Sequence, residues 1–187
     1  MPRLRWLVPG ALAIHLVTVS LGAGFAFLAT SDVYTVATSS MEPTIHCSRE
    51  TGLDAGCRGE FADDVLVSPL PYLLDEPRRG DIVAFAAPDA AVALCQDTLA
   101  EDVYVKRVVG LPGERIEERS GVIFVDGAAL PEPYLGDSRV RGSSTGERVV
   151  PAGHLFFLGD ARLASCDSRH FGFVRRDDVR GKVVAVW

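Results

Sequence analysis

The chain has 187 residues and a mass of 20.1 kDa, enough for one ordinary domain or for one domain with a membrane anchor. Hydrophobic residues make up 48% of the sequence and charged residues 24%, a balance that permits a packed core and argues against wholesale disorder. Lys and Arg number 19 against 25 Asp and Glu, giving a net charge of −6. A domain this acidic is poorly suited to nucleic acid, because phosphate contacts need clustered cations.

The N-terminal part of the chain contains an uncharged segment, residues 6–30, with no Asp, Glu, Lys or Arg. A helix needs roughly 20 apolar residues to cross the hydrocarbon layer of a bilayer. Because the segment is apolar all round rather than amphipathic, we interpret it as a transmembrane helix and not as a core helix. A cleaved secretory signal is the alternative, although the apolar part of such a signal usually has about 7–15 residues.

The charges beside this segment predict its orientation. Residues 1–5 include Arg3 and Arg5, whereas the residues directly after position 30 contain no Lys or Arg. The positive-inside rule then places the N-terminus in the cytoplasm. Residues 31–187 form an extracytoplasmic domain in this interpretation, carried on a single-pass anchor in the cell membrane.

Four cysteines, an even number, lie in the predicted extracytoplasmic domain. Disulfides persist on that side of the membrane, and four cysteines permit three pairings. None of them forms a C-x-x-C pair and the four His are scattered, so the sequence does not predict a zinc site or any other metal site. The four residues are Cys47, Cys57, Cys95 and Cys166.

Beyond residue 31 the sequence predicts a mostly β domain. Short runs rich in Val, Ile, Phe and Tyr are separated by Gly, Pro and Asp, which mark turns. Asp126 and Gly127 between two such runs predict a tight hairpin. No long amphipathic helix is expected, and residues 46–62, 86–101 and 135–150 are expected to be loops. The predicted strands are 33–37, 65–67, 81–85, 103–109, 115–118, 122–125, 155–158 and 182–186.

Lysine is scarce, with two residues against seventeen arginines, and Lys106 lies inside the predicted strand 103–109. Because strand side chains alternate between faces, Lys106 shares a face with Tyr104 and Val108. Partial desolvation on that face would lower its pKa, and a lysine shifted toward neutrality can act as a general base. Taken alone, a surface lysine on an edge strand is the simpler interpretation.

Two polar segments offer partners for such a lysine. Residues 38–44, Thr-Ser-Ser-Met-Glu-Pro-Thr, predict a turn because Pro43 fixes its own φ and restrains the residue before it. That turn can present a hydroxyl and a backbone N–H together. Residues 159–169, Gly-Asp-Ala-Arg-Leu-Ala-Ser-Cys-Asp-Ser-Arg, follow a predicted strand and indicate a network of ion pairs and hydroxyls.

The order of these segments resembles the bacterial type I signal peptidases. Ser-Met-Glu-Pro-Thr is followed by Arg-Gly-Asp-Ile-Val at 79–83, by Tyr-Val-Lys-Arg-Val-Val-Gly-Leu-Pro-Gly-Glu at 104–114, and then by the segment at 159–169. The resemblance extends from the anchor to Trp187. It implies an antiparallel, β-barrel-like catalytic domain on one N-terminal transmembrane helix, left uncleaved because a catalytic residue follows it closely.

The resemblance also implies a Ser/Lys dyad protease that needs no cofactor. Ser40 matches the nucleophile and Lys106 the general base. Ser165 matches the hydroxyl that holds the lysine. The backbone N–H of Ser40 and the hydroxyl of Thr38 match the oxyanion hole. No histidine is needed, although His46 lies near Ser40 in the sequence.

The salt-bridge network behind the dyad is also implied, with one departure from the family pattern. Ala161 and Ala164 stand where the family more often has amide side chains, which puts some hydrogen bonds in doubt. A catalytically weak, membrane-tethered peptide-binding relative is therefore one alternative, and a specialised processing peptidase of a conjugation or secretion system is another. The residues that match the network are Asp160, Arg162, Asp167 and Arg169.

Substrate recognition follows from the same resemblance. Family members bind an extended peptide as an added strand and select small residues, Ala-x-Ala, before the cut, so the implied partners are preprotein signal peptides and the lipid bilayer. The residues at positions that line the shallow apolar pockets are Val36, Met41, Tyr104 and Val105.

The resemblance finally favours one disulfide pairing. Cys47 and Cys57 bracket a short glycine-containing loop that closes easily. Cys95 precedes the lysine strand, and Cys166 adjoins Ser165. If Ser165 contacts the lysine, as the family implies, the second pair is Cys95 with Cys166.

Overall fold

The computed structural model describes residues 30–95, 103–138 and 144–187. Two short helices are described, α1 (Asp89–Leu94) and α2 (Ser168–Phe171). Turns of 3-10 helix lie at Ser39–Met41, Leu70–Leu73 and Arg176–Asp178, and a kinked 3-10 segment lies at Pro133–Ser138. The described strands are β1 (Asp32–Thr35), β2 (Asp64–Ser68), β3 (Ile82–Ala86), β4 (Val103–Gly110), β5 (Arg115–Arg119), β6 (Val122–Val125), β7 (Ala128–Ala129), β8 (Thr145–Val149), β9 (His154–Leu158), β10 (Val174–Arg175) and β11 (Val179–Val186).

The strands form two antiparallel sheets. The larger sheet has seven strands in the order β1-β2-β11-β3-β4-β9-β10, and the smaller has four in the order β7-β6-β5-β8. β4 lies inside the larger sheet, between β3 and β9. The chain passes directly from β4 into β5, so this strand also connects the two sheets.

The larger sheet curls around an apolar cluster, which brings its first strand toward its fifth. The buried members of this cluster come from β2, β3 and the turn after β1, and partly buried side chains of β1 and β4 pack against it. A second cluster on the other side contains Phe85 stacked on Phe157, with ring centroids 4.5 Å apart. Burial of these apolar surfaces is the main stabilising contribution. It also brings the loop after β1 close to β4.

The eight predicted strands are present, with ends that differ by up to three residues from the predicted ones. The mostly β, antiparallel character of the domain is thereby confirmed. The predicted hairpin turn is also present, since Asp126 and Gly127 join β6 to β7 with φ values of 50° and 80°. Both residues have positive φ, as a two-residue hairpin of this type requires.

Two of the predicted loops were wrong in part. Residues 86–101 contain α1, a helix of 6 residues that is too short to show an amphipathic period. Residues 135–150 contain β8, a mostly exposed strand whose sequence Thr-Gly-Glu-Arg-Val lacks the run of Val, Ile, Phe and Tyr residues by which the other strands were predicted. β8 forms because it pairs with β5, a contact between distant parts of the chain.

The larger sheet has the curled, antiparallel form expected of a barrel-like domain. In the described part of the chain, β1 and β10 end this sheet without pairing with each other, so it is not closed into a complete barrel. The predicted cytoplasmic residues 1–5 lie outside the described residues, as does the predicted transmembrane segment 6–30 except for Thr30. None of the described helices has the length and apolar character that crossing a bilayer requires.

The aromatic stack predicts where the domain is most sensitive to truncation. Phe85 is completely buried, so Phe85→Ala should lower the free energy of unfolding by about 3–5 kcal/mol through lost burial and a residual cavity. Phe61 is 78% exposed, and Phe61→Ala should change it by less than about 0.5 kcal/mol. Urea unfolding of both variants measures the difference, and equal losses would contradict the assignment of the core.

Candidate active site

The structure brings Ser40 and Lys106 together. Lys106 Nζ lies 2.6 Å from Ser40 Oγ, within hydrogen-bond distance, although 66 residues separate them. Ser40 is 7% exposed and Lys106 is 5% exposed. Lys106 belongs to β4, which has a neighbouring strand on each side, so the simpler interpretation of a surface lysine on an edge strand was wrong.

The turn Ser39–Met41 carries Ser40, the predicted nucleophile. Ser40 is in the middle of this turn, and Thr38 immediately before it has an extended backbone. Thr38 Oγ1 lies 3.4 Å from Ser40 Oγ. The Thr38 hydroxyl, one of the two predicted oxyanion donors, therefore lies beside the Ser40 hydroxyl.

The segment after β9 holds this turn from behind. Ala161 donates its backbone N–H to the carbonyl oxygen of Ser40, at 3.1 Å. Gly159 lies so close that a Cβ there would overlap the Ser40 carbonyl oxygen and the Ser165 side chain. Glycine is thus required for contact rather than for an unusual φ, and the bond from Ala161 needs no amide side chain.

Asp160 joins the turn to the lysine strand. Its carboxylate accepts hydrogen bonds from Arg107 Nε at 2.9 Å and Nη2 at 2.6 Å, and from Thr44 Oγ1 at 2.5 Å. Burial alone would lower the pKa of Arg107, but the hydrogen bonds and charge of Asp160 raise it above its ordinary value. The guanidinium stays charged and also lies 3.9 Å from the centre of the Tyr134 ring. Because Arg107 follows Lys106, the ion pair between Arg107 and Asp160 holds β4 beside the turn Ser39–Met41.

Two further ion pairs stabilise the same segment. Arg162 is paired with Glu132 inside the protein and donates Nε to the carbonyl of Gly159 at 3.2 Å. Asp167 begins α2, accepts the N–H of Gly159 at 3.1 Å and binds Arg169 Nε at 2.8 Å. All of these carboxylates are buried, so each needs its partner. The four residues predicted for the network therefore do lie together.

Ser165 is placed differently from the expectation. It is buried, and its hydroxyl lies against Gly159, but within the described residues that hydroxyl has no hydrogen-bond partner. The expected bond from Ser165 to Lys106 is thus not formed here. The hydroxyl is held by the close packing of Gly159 rather than by the lysine amine.

A groove of about 360 Å³ opens in front of the dyad. β1 and the residues after it form one side, and the first half of β4 forms another. Besides Ser40, Thr38 and Lys106, the groove is lined by all four residues predicted for the substrate pockets, Val36, Met41, Tyr104 and Val105.

The structure contains two disulfides, and one of them borders this groove. Cys47 pairs with Cys57, with Cα atoms 4.9 Å apart, and Cys95 pairs with Cys166, with Cα atoms 5.8 Å apart. These are the two pairs that the sequence analysis favoured. Cys95 and Cys166 line the groove themselves, and the second bridge joins the end of α1 to the segment that carries Ser165.

The neighbouring acidic and sulfur groups do not offer a metal site. Among the described residues, one set of candidate ligands lies close enough together, Cys47, Asp54 and Cys57, but its sulfurs form a disulfide. The Asp54 carboxylate is then the one remaining candidate ligand of this set.

His46 Nδ1 lies 2.7 Å from Glu42 Oε2, so this histidine is paired with a glutamate rather than with Ser40.

Sequence reasoning missed several supporting residues. Glu132 binds Arg162 from a position 30 residues away, and no local pattern marks it. Thr44 stands in the Ser-Met-Glu-Pro-Thr segment, but nothing in that segment indicates its contact with Asp160. Arg107 could have been found, because it adjoins Lys106 on a strand and must point to the opposite face, where an arginine needs an acidic partner.

The family comparisons agree with this geometry. Residues 4–187 match the family model described as signal peptidase, peptidase S26. The chain is 38% identical over 162 residues to signal peptidase I of Bacillus caldolyticus, covering 80% of this chain and 75% of that protein. It is 30% identical over 187 residues to a probable signal peptidase I-2 of Synechocystis, covering 100% of this chain and 75% of that protein.

A solved structure is similar as well. The crystal structure of a signal peptidase I from Enterococcus faecalis has 33% sequence identity and a TM-score of 0.47, covering 59% of this chain and 98% of that chain. The extent of the family match, from residue 4 to the last residue, leaves no part of the β domain outside it. The chain belongs to the signal peptidase family, peptidase S26, and is a serine endopeptidase of that family.

Proposed function

We propose that this protein is a membrane-bound endopeptidase that removes N-terminal signal peptides from exported preproteins, with Ser40 as nucleophile and Lys106 as general base. The observation that carries the proposal is the 2.6 Å contact between Lys106 Nζ and Ser40 Oγ in a buried site. The relatives named signal peptidase I support the class of substrate.

The chemistry follows from the two groups in contact. A serine hydroxyl is a weak nucleophile and needs an adjacent base to accept its proton during attack. The Lys106 amine is almost fully removed from water, which disfavours its charged form and so favours its action as a base. After attack on the carbonyl, the protonated amine gives its proton to the leaving amine. Water then hydrolyses the acyl-enzyme.

The oxyanion that forms during attack would be bound by the Ser40 N–H and the Thr38 hydroxyl. Donors that are already placed where charge develops need no reorganisation, and one such donor is typically worth about 3–4 kcal/mol. Thr38 Oγ1 lies 3.4 Å from Ser40 Oγ, which supports its role as one of the two donors.

The substrate would bind as a strand added to β1. Asp64, the partner of Thr35, donates its N–H to the carbonyl of Trp187 and accepts the N–H of Trp187 at its own carbonyl, so both groups point away from β1. Because bonded and non-bonded pairs alternate in antiparallel strands, the N–H and C=O of Thr35 face away from β2, at the open edge of the sheet. Thr35 also lines the groove. Backbone pairing there would let small side chains suffice for recognition.

The alternative of a catalytically weak relative depends on Ala161 and Ala164, and the contacts at these positions weigh against it. Ala161 acts through its backbone N–H, which any residue except proline supplies. Ala164 lines the groove, where a small side chain leaves room for a peptide. A panel of preproteins with and without Ala-x-Ala before the cut separates a general from a specialised peptidase.

Replacement of the base should abolish cleavage. Lys106→Arg keeps a long cation but cannot supply a neutral base, so we expect cleavage of a preprotein to fall to the level of Ser40→Ala. Lys182→Arg is the matched control, because that lysine pairs with Asp81 and lies outside the groove, and it should retain the wild-type rate. Gel assays of preprotein processing measure all three. Substantial activity of Lys106→Arg would refute the dyad.

The rate should rise with pH. Lys106 must lose its proton before attack, so kcat/KM should increase about tenfold per pH unit below the pKa of the lysine and then level off. Two ionisable groups of the network should keep one protonation state over this range: burial alone would lower the pKa of Arg107, but Asp160 holds it above its ordinary value, and burial and then Glu132 raise the pKa of Tyr134. Initial rates on a soluble peptide between pH 6 and 10 test this.

A second variant tests whether a group other than Lys106 causes the pH dependence of the rate. His46 is partly exposed and lies near the turn, so His46→Gln should leave the pH profile unchanged in shape. An acidic optimum, or loss of the alkaline rise in His46→Gln, would point to another base.

The proposed location follows from the N-terminal charge pattern. Arg3 and Arg5 precede residues 6–30, so the N-terminus should remain in the cytoplasm and the catalytic domain should face the other side. When the full chain is expressed in a bacterial host, it should sediment with membranes and resist alkaline extraction. Protease added to spheroplasts should digest residues 31–187. Recovery in the soluble fraction, or protection from the protease, would contradict this topology.

A further inference from the structure

The loop closed by the Cys47–Cys57 disulfide contacts the turn Ser39–Met41, which carries Ser40. The proposed reaction gives this loop no role. Leu53 donates its backbone N–H to the carbonyl of Ala37 at 2.7 Å. Asp54 Oδ2 accepts the backbone N–H of Ser39 at 2.8 Å. Two successive residues of the loop thus bind the chain on both sides of Thr38.

These two bonds act on the residue that supplies the hydroxyl of the oxyanion hole. Thr38 has an extended backbone, and its side chain makes no capping bond to the turn that follows. Its orientation therefore depends on the positions of Ala37 and Ser39, which the loop holds. Ser39 in turn precedes Ser40, whose N–H is the other donor.

The Asp54 carboxylate is suited to this contact. Burial alone would raise its pKa, but hydrogen bonds from Ser39 and Gly56 lower the pKa below its ordinary value, so it is ionised at neutral and alkaline pH. Oδ1 accepts the N–H of Gly56 at 2.8 Å while Oδ2 binds Ser39. Hydrogen bonds to a charged acceptor are roughly twice as strong as neutral ones.

The loop is itself held firmly. Its disulfide sulfurs are buried, and Glu42, just after the turn, accepts the N–H groups of Cys47 at 3.3 Å and Arg58 at 3.0 Å. Gly56 packs so closely on Ser39 that a Cβ would overlap the serine hydroxyl. Hydrogen bonds therefore join the loop to the residues on both sides of Ser40, and these contacts hold Asp54 in place.

We propose that Asp54 is a positioning residue of the reaction: by holding the Ser39 N–H it fixes the turn so that the Thr38 hydroxyl and the Ser40 N–H converge on the oxyanion. The inference rests on the proposed function of the Ser40–Lys106 dyad. Asp54 acts through Ser39, and its loss should therefore disturb the transition state more than substrate binding.

Kinetics of three loop variants test the proposal. Asp54→Ala should lower kcat on a soluble peptide by about ten- to a hundredfold and change KM by less than about threefold. Asp54→Asn, whose carbonyl oxygen can still accept the Ser39 N–H, should keep several times more activity than Asp54→Ala. Glu50→Ala removes an exposed carboxylate of the same loop that does not line the groove, and should match the wild type. Wild-type kcat in Asp54→Ala, or equal losses in the alanine and asparagine variants, would overturn the proposal.

A double variant separates positioning from a general loss of stability. If Asp54 acts through the oxyanion hole, its replacement should matter less once Thr38→Val has removed one of the two donors that it positions. The double variant Thr38→Val with Asp54→Ala should then lose clearly less activity than the product of the two single losses. Losses that multiply would show an independent, merely structural role and would refute the proposal.

Hydrogen exchange keeps the test independent of the dyad. The Ser39 amide should exchange more slowly in the wild type than in Asp54→Ala, while amides of the central strand β4 exchange equally in both. If the wild type cleaves no preprotein or peptide, the proposed function fails, whereas this exchange difference still supports the contact. Equal exchange at Ser39 would overturn the positioning role whatever the activity.

Discussion

The buried carboxylate of Asp160 forms the hydrogen bonds on which the site depends. It binds Arg107 on β4 through two hydrogen bonds and Thr44 beside the nucleophile turn through a third. The next residue, Ala161, holds the carbonyl of Ser40. A single short segment therefore sets the distance between a strand and a turn that are far apart in the sequence. The 2.6 Å contact of the dyad is a result of that spacing.

Burial gives this arrangement both its precision and its sensitivity. Three arginine–carboxylate pairs lie behind the groove, where water is largely excluded. Each pair is costly to bury, and the loss of one partner leaves an uncompensated charge. Burial of the apolar clusters on the two sides of the larger sheet stabilises the fold and offsets the cost of burying these charges. The same curl of the sheet that buries the clusters forms the groove, so stability and access to the dyad come from one feature of the fold.

The sequence predicted the strands, and it singled out Ser40 and Lys106, because both predictions depend on local patterns. Short apolar runs between turn residues mark strands, and Ser40 and Lys106 stand in segments whose order resembles a known family. What remained hidden depends on contacts between distant or polar segments. β8 pairs with β5 without an apolar pattern, and Glu132 meets Arg162 across 30 residues. The Asp54 carboxylate binds the backbone N–H of Ser39. Because every residue except proline has a backbone N–H, the sequence does not indicate which one this carboxylate will contact.

The adjacent pair Lys106 and Arg107 has a consequence for how β4 must assemble. Neighbouring residues of a strand point to opposite faces, so one cation faces Ser40 and the next faces Asp160. A slip of β4 by one residue would exchange them, because such a slip moves every side chain to the other face. An arginine, which does not lose its proton, would then meet Ser40, and a lysine would lack the bidentate geometry that fits Asp160. Under the proposed mechanism, a chain misassembled in this way would be compact and still inert, so correct pairing of β4 with β3 and β9 would be a requirement for catalysis.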